Sequence, residues 1–154
     1  METHKITPFL WFDDQAEEAM RYYVSIFKTS KVLGVTPGPN GKAMSVTFEL
    51  EGQQFMGLNA GPQFKFTEAI SFFVSCKTQE EVDDLWQKLS AGEEGSCGWA
   101  KDQFGLWWQI IPDALMQLMG DKDAAKAKRV LDAMLKMKKI DIVGLQRAYE
   151  GVKT

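Results

Sequence analysis

The feature that most constrains the fold of this chain is an internal repeat. The stretch ITPFLWFDDQAEEAMRYY, which begins at Ile6, aligns with ISFFVSCKTQEEVDDLWQ, which begins at Ile70. In this alignment Phe9 meets Phe73, and the apolar and acidic residues coincide along most of both stretches. A sequence that repeats itself is typical of a chain made of similar supersecondary units that pack together. The repeat therefore predicts two modules of the same topology.

Each copy of the repeat has the pattern of a strand that leads into a helix. A short apolar run comes first, and a candidate N-cap residue, Asp14 or Thr78, follows it. Acidic residues then fill the first helical turn, where the helix dipole favours them. Apolar residues at helical spacing come next: Ala16, Ala19, Met20, Tyr23 and Phe27 in the first copy, and Val82, Leu85, Trp86 and Leu89 in the second.

Three further strands are predicted after each helix. In the first copy they are SKVLGVTP, KAMSVTFEL and QFMGLN, with PGPNG and EGQ as turns. The alternation in KAMSVTFEL places four apolar residues on one face: Met44, Val46, Phe48 and Leu50. In the second copy GEEGSCGWAK, a DQFG turn and LWWQIIP repeat this order, with a weak and short second strand. Both halves are therefore predicted to be β-α-β-β-β modules.

The residues after Pro112 no longer follow the repeat and have helical patterns. They are DALMQLMG, DKDAAKAKRVLDAMLKMKK and DIVGLQRAYEG, and Asp121 or Asp123 can cap the long helix. One stripe of this helix is apolar: Ala127, Val130, Leu131, Met134 and Leu135. We therefore expect an α+β fold in which residues 1–112 hold the modules, at about 4–62 and 68–112. Residues 113–154 then form a helical extension of the same domain.

Composition and charge exclude several classes of protein. A chain of 154 residues is long enough for one domain with a substantial core. Its net charge of −3 and pI near 5.2 argue against nucleic-acid binding, which depends on a basic surface. No apolar run approaches the roughly 18 residues that span a bilayer, and the N-terminus lacks a signal-peptide pattern. Cys76 and Cys97 fit no disulfide framework, so we expect a cytoplasmic protein.

Three stretches of the chain resemble a known family. ITPFLWFDDQAEEAMRYYVSIF, CGWAKDQFGLWWQIIP and the tail AKRVLDAMLKMKKIDIVGLQRAYEG are similar to the PhnB-like branch of the vicinal oxygen chelate superfamily. This superfamily includes glyoxalases and bleomycin-resistance proteins, and the branch is also called the 3-demethylubiquinone-9 3-methyltransferase domain. The resemblance covers almost the whole chain, and the tail is its most branch-specific part. It implies a cupped mixed sheet around a cavity and a homodimer.

The resemblance also indicates where metal-using relatives hold their ligands. These relatives place His, Glu or Gln on the first and last strands of each module. In this chain the corresponding residues are Thr7, Ser71, Gln109 and, within one position, Met56. Such a set is poor for a divalent metal, because neutral hydroxyls lack the charge and basicity of carboxylate and imidazole. His4 lies three positions before the first ligand place, so we expect no metal and no cofactor.

Strand alternation predicts which side chains face the cavity that the resemblance implies. The expected ligand-binding residues are Thr7, Phe9, Trp11, Met56, Ser71, Phe73, Trp107 and Gln109. An aromatic wall with a few hydroxyls and one amide is typical of a small-molecule pocket. The alternative is a packed core in which Gln109 is a structural amide bonded to Thr7 or Ser71. If Asp102 pairs with Gly105, Ala100 lies opposite Trp107 and Gly98 lies opposite Gln109.

Other catalytic groups are weak candidates in this sequence. Neither cysteine has a histidine in its vicinity to activate it, and Glu49 is either an inward general base or a solvated strand-edge carboxylate. The glycine-rich PGPNGK joins two strands predicted to be antiparallel, so it does not form the strand-to-helix turn of a nucleotide site.

The sequence therefore favours a metal-free protein that binds an aromatic or amphipathic small molecule. Two alternatives stay open. One is an enzyme of unknown reaction, including the 3-demethylubiquinone 3-O-methyl transfer of the family name. The other is an interaction protein with a filled pocket, a possibility that the extra C-terminal helices indicate.

Overall fold

The computed structural model describes residues 4–152, which form two β-α-β-β-β modules followed by three helices. The first module consists of β1 (Phe9–Phe12), α1 (Ala16–Ile26), β2 (Ser30–Pro37), β3 (Ala43–Leu50) and β4 (Gln53–Asn59). The second consists of β5 (Ser71–Cys76), α2 (Gln79–Leu89), β6 (Glu93–Glu94), β7 (Trp99–Lys101) and β8 (Trp107–Pro112). The C-terminal helices are α3 (Asp113–Met119), α4 (Ala124–Met134) and α5 (Ile142–Glu150). The predicted α+β class, with paired modules and C-terminal helices, is confirmed.

Each module forms one mixed four-stranded sheet. The strand orders are β1-β4-β3-β2 and β5-β8-β7-β6, and only the pairs β1–β4 and β5–β8 are parallel. Phe9 lies opposite Met56 in the first sheet, and Phe73 lies opposite Gln109 in the second. Because Phe9 and Phe73 are also aligned in the sequence repeat, Met56 and Gln109 hold equivalent places in the two modules.

The first compact unit ends at Phe66, and its core lies between α1 and one face of the sheet. Tyr23 of α1 packs on Phe48, with 6.3 Å between ring centroids, and Phe48 stacks on Phe55 at 5.4 Å. All three residues are buried, so burial of these rings is a main source of the unit's stability. This packing fixes which face of the sheet the helix covers.

Two local predictions for the first module are wrong. The N-cap of α1 is Gln15 rather than Asp14, whose carboxylate instead contacts the Lys42 ammonium at 2.6 Å. The first free N–H of the helix, that of Ala16, donates to the side-chain oxygen of Asn59 at 2.8 Å. A residue distant in sequence therefore fulfils the capping role that local patterns assigned to Asp14.

Met44 does not share the buried face of β3. The β2–β3 register shifts at this end, since Thr36 pairs with Ser45 while Pro37 pairs with Ala43. This bulge leaves Met44 exposed and turns Ala43 into the core.

The second compact unit begins at Thr67 and includes the three C-terminal helices. Thr78 caps α2 by accepting from the Glu81 N–H, and Asp123 caps α4 by accepting from two N–H groups, as predicted. The helices share a small apolar core with the last strand, formed by Ile111, Leu115, Val130, Ile140 and Leu145. The predicted stripe of α4 is only partly buried, because Leu131 and Leu135 are exposed. Within residues 4–152, no helix is long and apolar enough to cross a membrane.

Candidate ligand-binding faces

The face of each sheet opposite its covering helix is called the open face below. In the first sheet it carries Phe9 and Trp11 of β1 with Met56 and Leu58 of β4. Thr7 precedes β1 and continues the same alternation, so four of the predicted residues share this face. Phe9, the first residue of β1, lies beside Met56 and is 55% exposed.

Trp11 is held in place by the segment that follows β4. Its indole N–H donates to the Gly61 carbonyl oxygen at 2.9 Å. Its ring meets Phe64 edge-on, with 4.9 Å between centroids. The rim of this open face is therefore ordered by hydrogen bonding and ring packing, while Phe9 is left uncovered.

On the second sheet the open face is a grid of two rows across three strands. The first row is Ser71, Trp107 and Lys101, and the second is Phe73, Gln109 and Trp99. Neighbouring strands lie about 4.8 Å apart, so each row spans roughly 10 Å. The four predicted residues of this module lie together here. Sequence reasoning missed Trp99 and Lys101 because it placed them on the other face of β7.

That omission follows from the register of the β7–β8 hairpin, which was predicted wrongly by one residue. The Asp102 N–H donates to the Leu106 carbonyl, so Asp102 faces Leu106 rather than Gly105. Trp99 therefore lies opposite Gln109, and Lys101 lies opposite Trp107. A shift of one residue moves every side chain to the other face of a strand. On the open face, the large residues Trp99 and Lys101 of β7 therefore take the places predicted for Gly98 and Ala100.

Gln109 is bonded within its own sheet. Its Nε2 donates to the Ser71 Oγ at 2.9 Å. Of the two hydroxyls that the sequence offered as partners, the structure selects Ser71. Within the described chain the side-chain Oε1 of Gln109 accepts no hydrogen bond, and the Ser71 hydroxyl donates none. The pair is neutral and still offers one acceptor, the Gln109 Oε1, and two donors, the second Nε2 hydrogen and the Ser71 hydroxyl.

The C-terminal helices cover one end of the second open face. Ile111 follows Gln109 on that face and is buried in the core of the helical extension. Backbone bonds reinforce the contact, since the Cys97 and Gly98 N–H groups donate to the carbonyls of Met137 and Lys138 at 2.8 Å. The equivalent residue of the first module, Leu58, is only partly buried. The two open faces therefore differ in how much of their length is uncovered.

The donor set at the superfamily's ligand positions does not suit a divalent metal. Thr7 and Met56 belong to the first unit, and Ser71 and Gln109 belong to the second. The Ser71–Gln109 pair is already joined by a hydrogen bond between two neutral groups, and Met56 offers a weakly coordinating thioether. Among residues 4–152, no three His, Cys, Asp or Glu side chains are grouped as metal ligands. These residues do not fit the metal of the glyoxalase-type relatives.

The methyl-donor site that the family name implies also lacks a recognisable loop. Both parallel strands that lead into a helix do so through short polar turns, DDQ before α1 and KT before α2, which contain no glycine. The glycine-rich PGPNGK lies between β2 and β3, and these strands are antiparallel. No strand-to-helix turn in the described chain resembles a nucleotide-binding loop.

The two cysteines should differ sharply in reactivity. Cys76 is fully buried, and burial, with a smaller contribution from the charge of Glu81, raises the pKa of its thiol to about 12. Cys97 is only half-buried. At pH 8 we expect iodoacetamide to label Cys97 at least about tenfold faster than Cys76 in the folded protein, since the thiolate is the reactive form. Peptide mass spectrometry checks this, with urea-unfolded protein as the control in which both residues react. Equal labelling of folded protein would contradict the burial of Cys76.

Comparisons with known proteins agree with the fold. The sequence profile of the family described as 3-demethylubiquinone-9 3-methyltransferase matches residues 4–111. The PhnB protein of Bacillus cereus is 33% identical, with 71% of this chain and 99% of that chain covered and a TM-score of 0.62. A Staphylococcus aureus protein is 29% identical, with coverages of 71% and 96% and a TM-score of 0.36. Protein PA1353 of Pseudomonas aeruginosa is 20% identical, with coverages of 71% and 98% and a TM-score of 0.54, and shows the fold alone.

No curated protein is similar enough to the chain to count as a match. The family match ends at Ile111, so it does not test the prediction that the tail also carries the resemblance. The match nevertheless spans both modules, and the Bacillus cereus protein adds a similar structure at 33% identity. The chain therefore belongs to the 3-demethylubiquinone-9 3-methyltransferase domain family, the PhnB-like branch of the glyoxalase/bleomycin-resistance superfamily.

Proposed function

We propose that this protein binds an aromatic or amphipathic small molecule on the open faces of its sheets without using a metal. The observation that carries the proposal is the pair Phe9 and Phe73. They hold equivalent places in the two modules, and they are 55% and 51% exposed on faces that also carry neutral polar groups. Exposed aromatic side chains beside such groups are typical of surfaces that contact a ligand.

The proposal includes an assembly and a location. We infer that two chains pair as a homodimer and that the modules and the helical extension belong to one domain. The resemblance to this family supports both inferences. Cytoplasmic location is supported by two free thiols, Cys76 and Cys97, because secreted proteins of this size more often use cysteines in disulfides.

A filled, non-binding interior is the second candidate, and two contacts favour it. Gln109 already bonds Ser71, and Ile111 is buried under the helical extension. In that case the protein acts through its surface, and its open faces do not accept small molecules. The binding experiment below separates the two candidates.

We expect 2-naphthoate and its neutral analogue 2-naphthalenemethanol to quench tryptophan fluorescence stoichiometrically, since Trp99 and Trp107 lie on the second open face. Phe9→Ala or Phe73→Ala should weaken the binding of at least one probe about fivefold to tenfold, the range expected for a lost aromatic contact. Met116→Ala, which removes an exposed apolar side chain from α3, is the matched control. Absence of binding at millimolar probe would support the filled interior and overturn the proposal.

Metal content provides an independent check. Protein incubated with Zn²⁺, Mn²⁺ and Ni²⁺ and then desalted should retain less than about 0.1 equivalent per chain, because neutral hydroxyl, amide and thioether donors bind divalent ions weakly. One tightly held metal per chain by elemental analysis would contradict the metal-free mode.

Calorimetric titration with S-adenosylmethionine tests methyl transfer. Measurable binding would favour that reaction over simple ligand binding.

A further inference from the structure

We propose that Lys101 makes the second open face selective for aromatic ligands that carry a negative charge, such as aryl carboxylates. This inference rests on the proposed binding function and adds to it the charge of the ligand and the residue that recognises it. Lys101 was not among the residues that the sequence indicated. It reaches this face because β7 pairs with β8 one residue out of the predicted register.

The position of Lys101 is fixed by its strand and by a ring. It lies opposite Trp107 on β8, and its Nζ is 5.7 Å from the centroid of the Trp107 ring. This distance is within the range of a cation–π interaction. Trp107 is only 4% exposed and itself lies near Trp99, so the ring offers the ammonium a rigid support. The charge is thereby held on the open face.

The Lys101 ammonium has no anionic partner among the described residues. No carboxylate oxygen lies within 4.0 Å of its Nζ, and it donates no hydrogen bond there. Glu93 lies opposite Lys101 on β6, yet the two side chains form no ion pair. Lys101 is half-buried, and an ammonium whose contact is a ring keeps its three N–H donors for a ligand. A carboxylate there would gain a charge-assisted hydrogen bond.

The first module shows how the same position looks when its charge is balanced. Glu49 pairs with Gln54 as Lys101 pairs with Trp107, so Glu49 and Lys101 are equivalent across the repeat. Glu49 has a cationic neighbour, since the Lys31 Nζ lies 3.8 Å from its carboxylate. Glu49 therefore lies on the open face of an interior strand as an ion-pair residue. Of these two equivalent charges, only Glu49 has an ion-pair partner within 4.0 Å among residues 4–152.

The surroundings of Lys101 indicate the rest of the ligand. The neighbouring row places Phe73 and Trp99 on either side of Gln109, and Phe73 is exposed. The two rows are separated by two residues along a strand, which is about 6.6 Å. An aryl ring above the second row can therefore place an attached carboxylate near Lys101. The Ser71 hydroxyl at the other end of the first row supplies a further donor.

The test compares the two naphthalene probes by calorimetry on the full chain. Wild type should bind 2-naphthoate about tenfold more tightly than 2-naphthalenemethanol, and the preference should shrink at higher ionic strength. Lys101→Met should abolish the preference while the affinity for the neutral probe stays within about twofold. Lys101→Arg should retain it. Lys122→Met, which removes an exposed lysine from the loop before α4, is the control for net charge and should retain the preference.

The outcomes separate this inference from the proposed function. If both probes bind wild type equally, or if Lys101→Met keeps the preference for the anion, the role of Lys101 is wrong and small-molecule binding stands. If neither probe binds, the proposed function fails and the inference fails with it. Circular dichroism of each variant ensures that a change in binding is read on folded protein.

Discussion

Replacement of Asp102 by alanine should lower the free energy of unfolding by about 3–5 kcal/mol, which is among the largest effects expected of any single side chain here. The Asp102 side chain is only 1% exposed. Its carboxylate accepts from the N–H groups of Phe104 and Leu106 and from the Trp108 indole at 2.9–3.0 Å. Alanine leaves all three donors without this partner. Each buried donor left unsatisfied costs roughly 1–3 kcal/mol.

Two matched variants make this prediction specific. Asp102→Asn keeps one oxygen for the two backbone N–H groups but turns an NH₂ toward the Trp108 N–H, so we expect an intermediate loss of about 1–3 kcal/mol. Asp84→Ala removes an exposed aspartate whose partner is Lys88, and the change should stay within about 0.5 kcal/mol. Urea denaturation followed by tryptophan fluorescence measures all three. A loss below 1 kcal/mol for Asp102→Ala would contradict the role assigned to the carboxylate.

The architecture of this chain could be predicted because its repeat consists of local patterns of apolar and polar residues. Phe9 and Phe73 align across the repeat, and each lies in the strand that pairs in parallel with the last strand of its module. Once the strands are known, alternation assigns faces, and it groups Ser71 with Gln109 correctly. These steps depend only on the order and spacing of apolar residues along the chain.

The features that escaped prediction are those set by specific side-chain hydrogen bonds, which the order of apolar residues does not encode. The β7–β8 register depends on a carboxylate, that of Asp102, which bonds the backbone inside the turn and widens the loop by one residue. Neither alternation nor turn composition distinguishes the two registers, so Trp99 and Lys101 were placed on the wrong face. The cap of α1 by Asn59 also depends on a side-chain hydrogen bond, and here the two residues are 43 positions apart. Sequence patterns therefore located the open faces but gave only part of their chemistry.

The second large effect is expected at Gly98, where alanine should destabilise the fold by about 2–5 kcal/mol for two separate reasons. Its backbone has φ of +84°, a conformation that costs a non-glycine residue about 1–2 kcal/mol. A Cβ there would lie 2.7 Å from the Ile111 Cδ1 and 3.2 Å from the Ile140 Cγ1. The Gly98 N–H also bonds the Lys138 carbonyl. Overpacking of this kind typically costs a further 1–3 kcal/mol or so.

Gly52→Ala isolates the backbone part of this effect. Gly52 has φ of +86°, almost the same as Gly98, and a Cβ there would meet nothing within 4 Å. The difference between the two variants in urea denaturation therefore measures the packing of Ile111 and Ile140 around Gly98. We also expect Gly98→Ala, but not Gly52→Ala, to speed proteolysis in the segment that holds Met137 and Lys138, since that segment bonds the backbone next to Gly98. If the two variants lose equal stability, the helical extension packs loosely on the second sheet. The end of the open face near Ile111 would then be accessible to a ligand rather than closed.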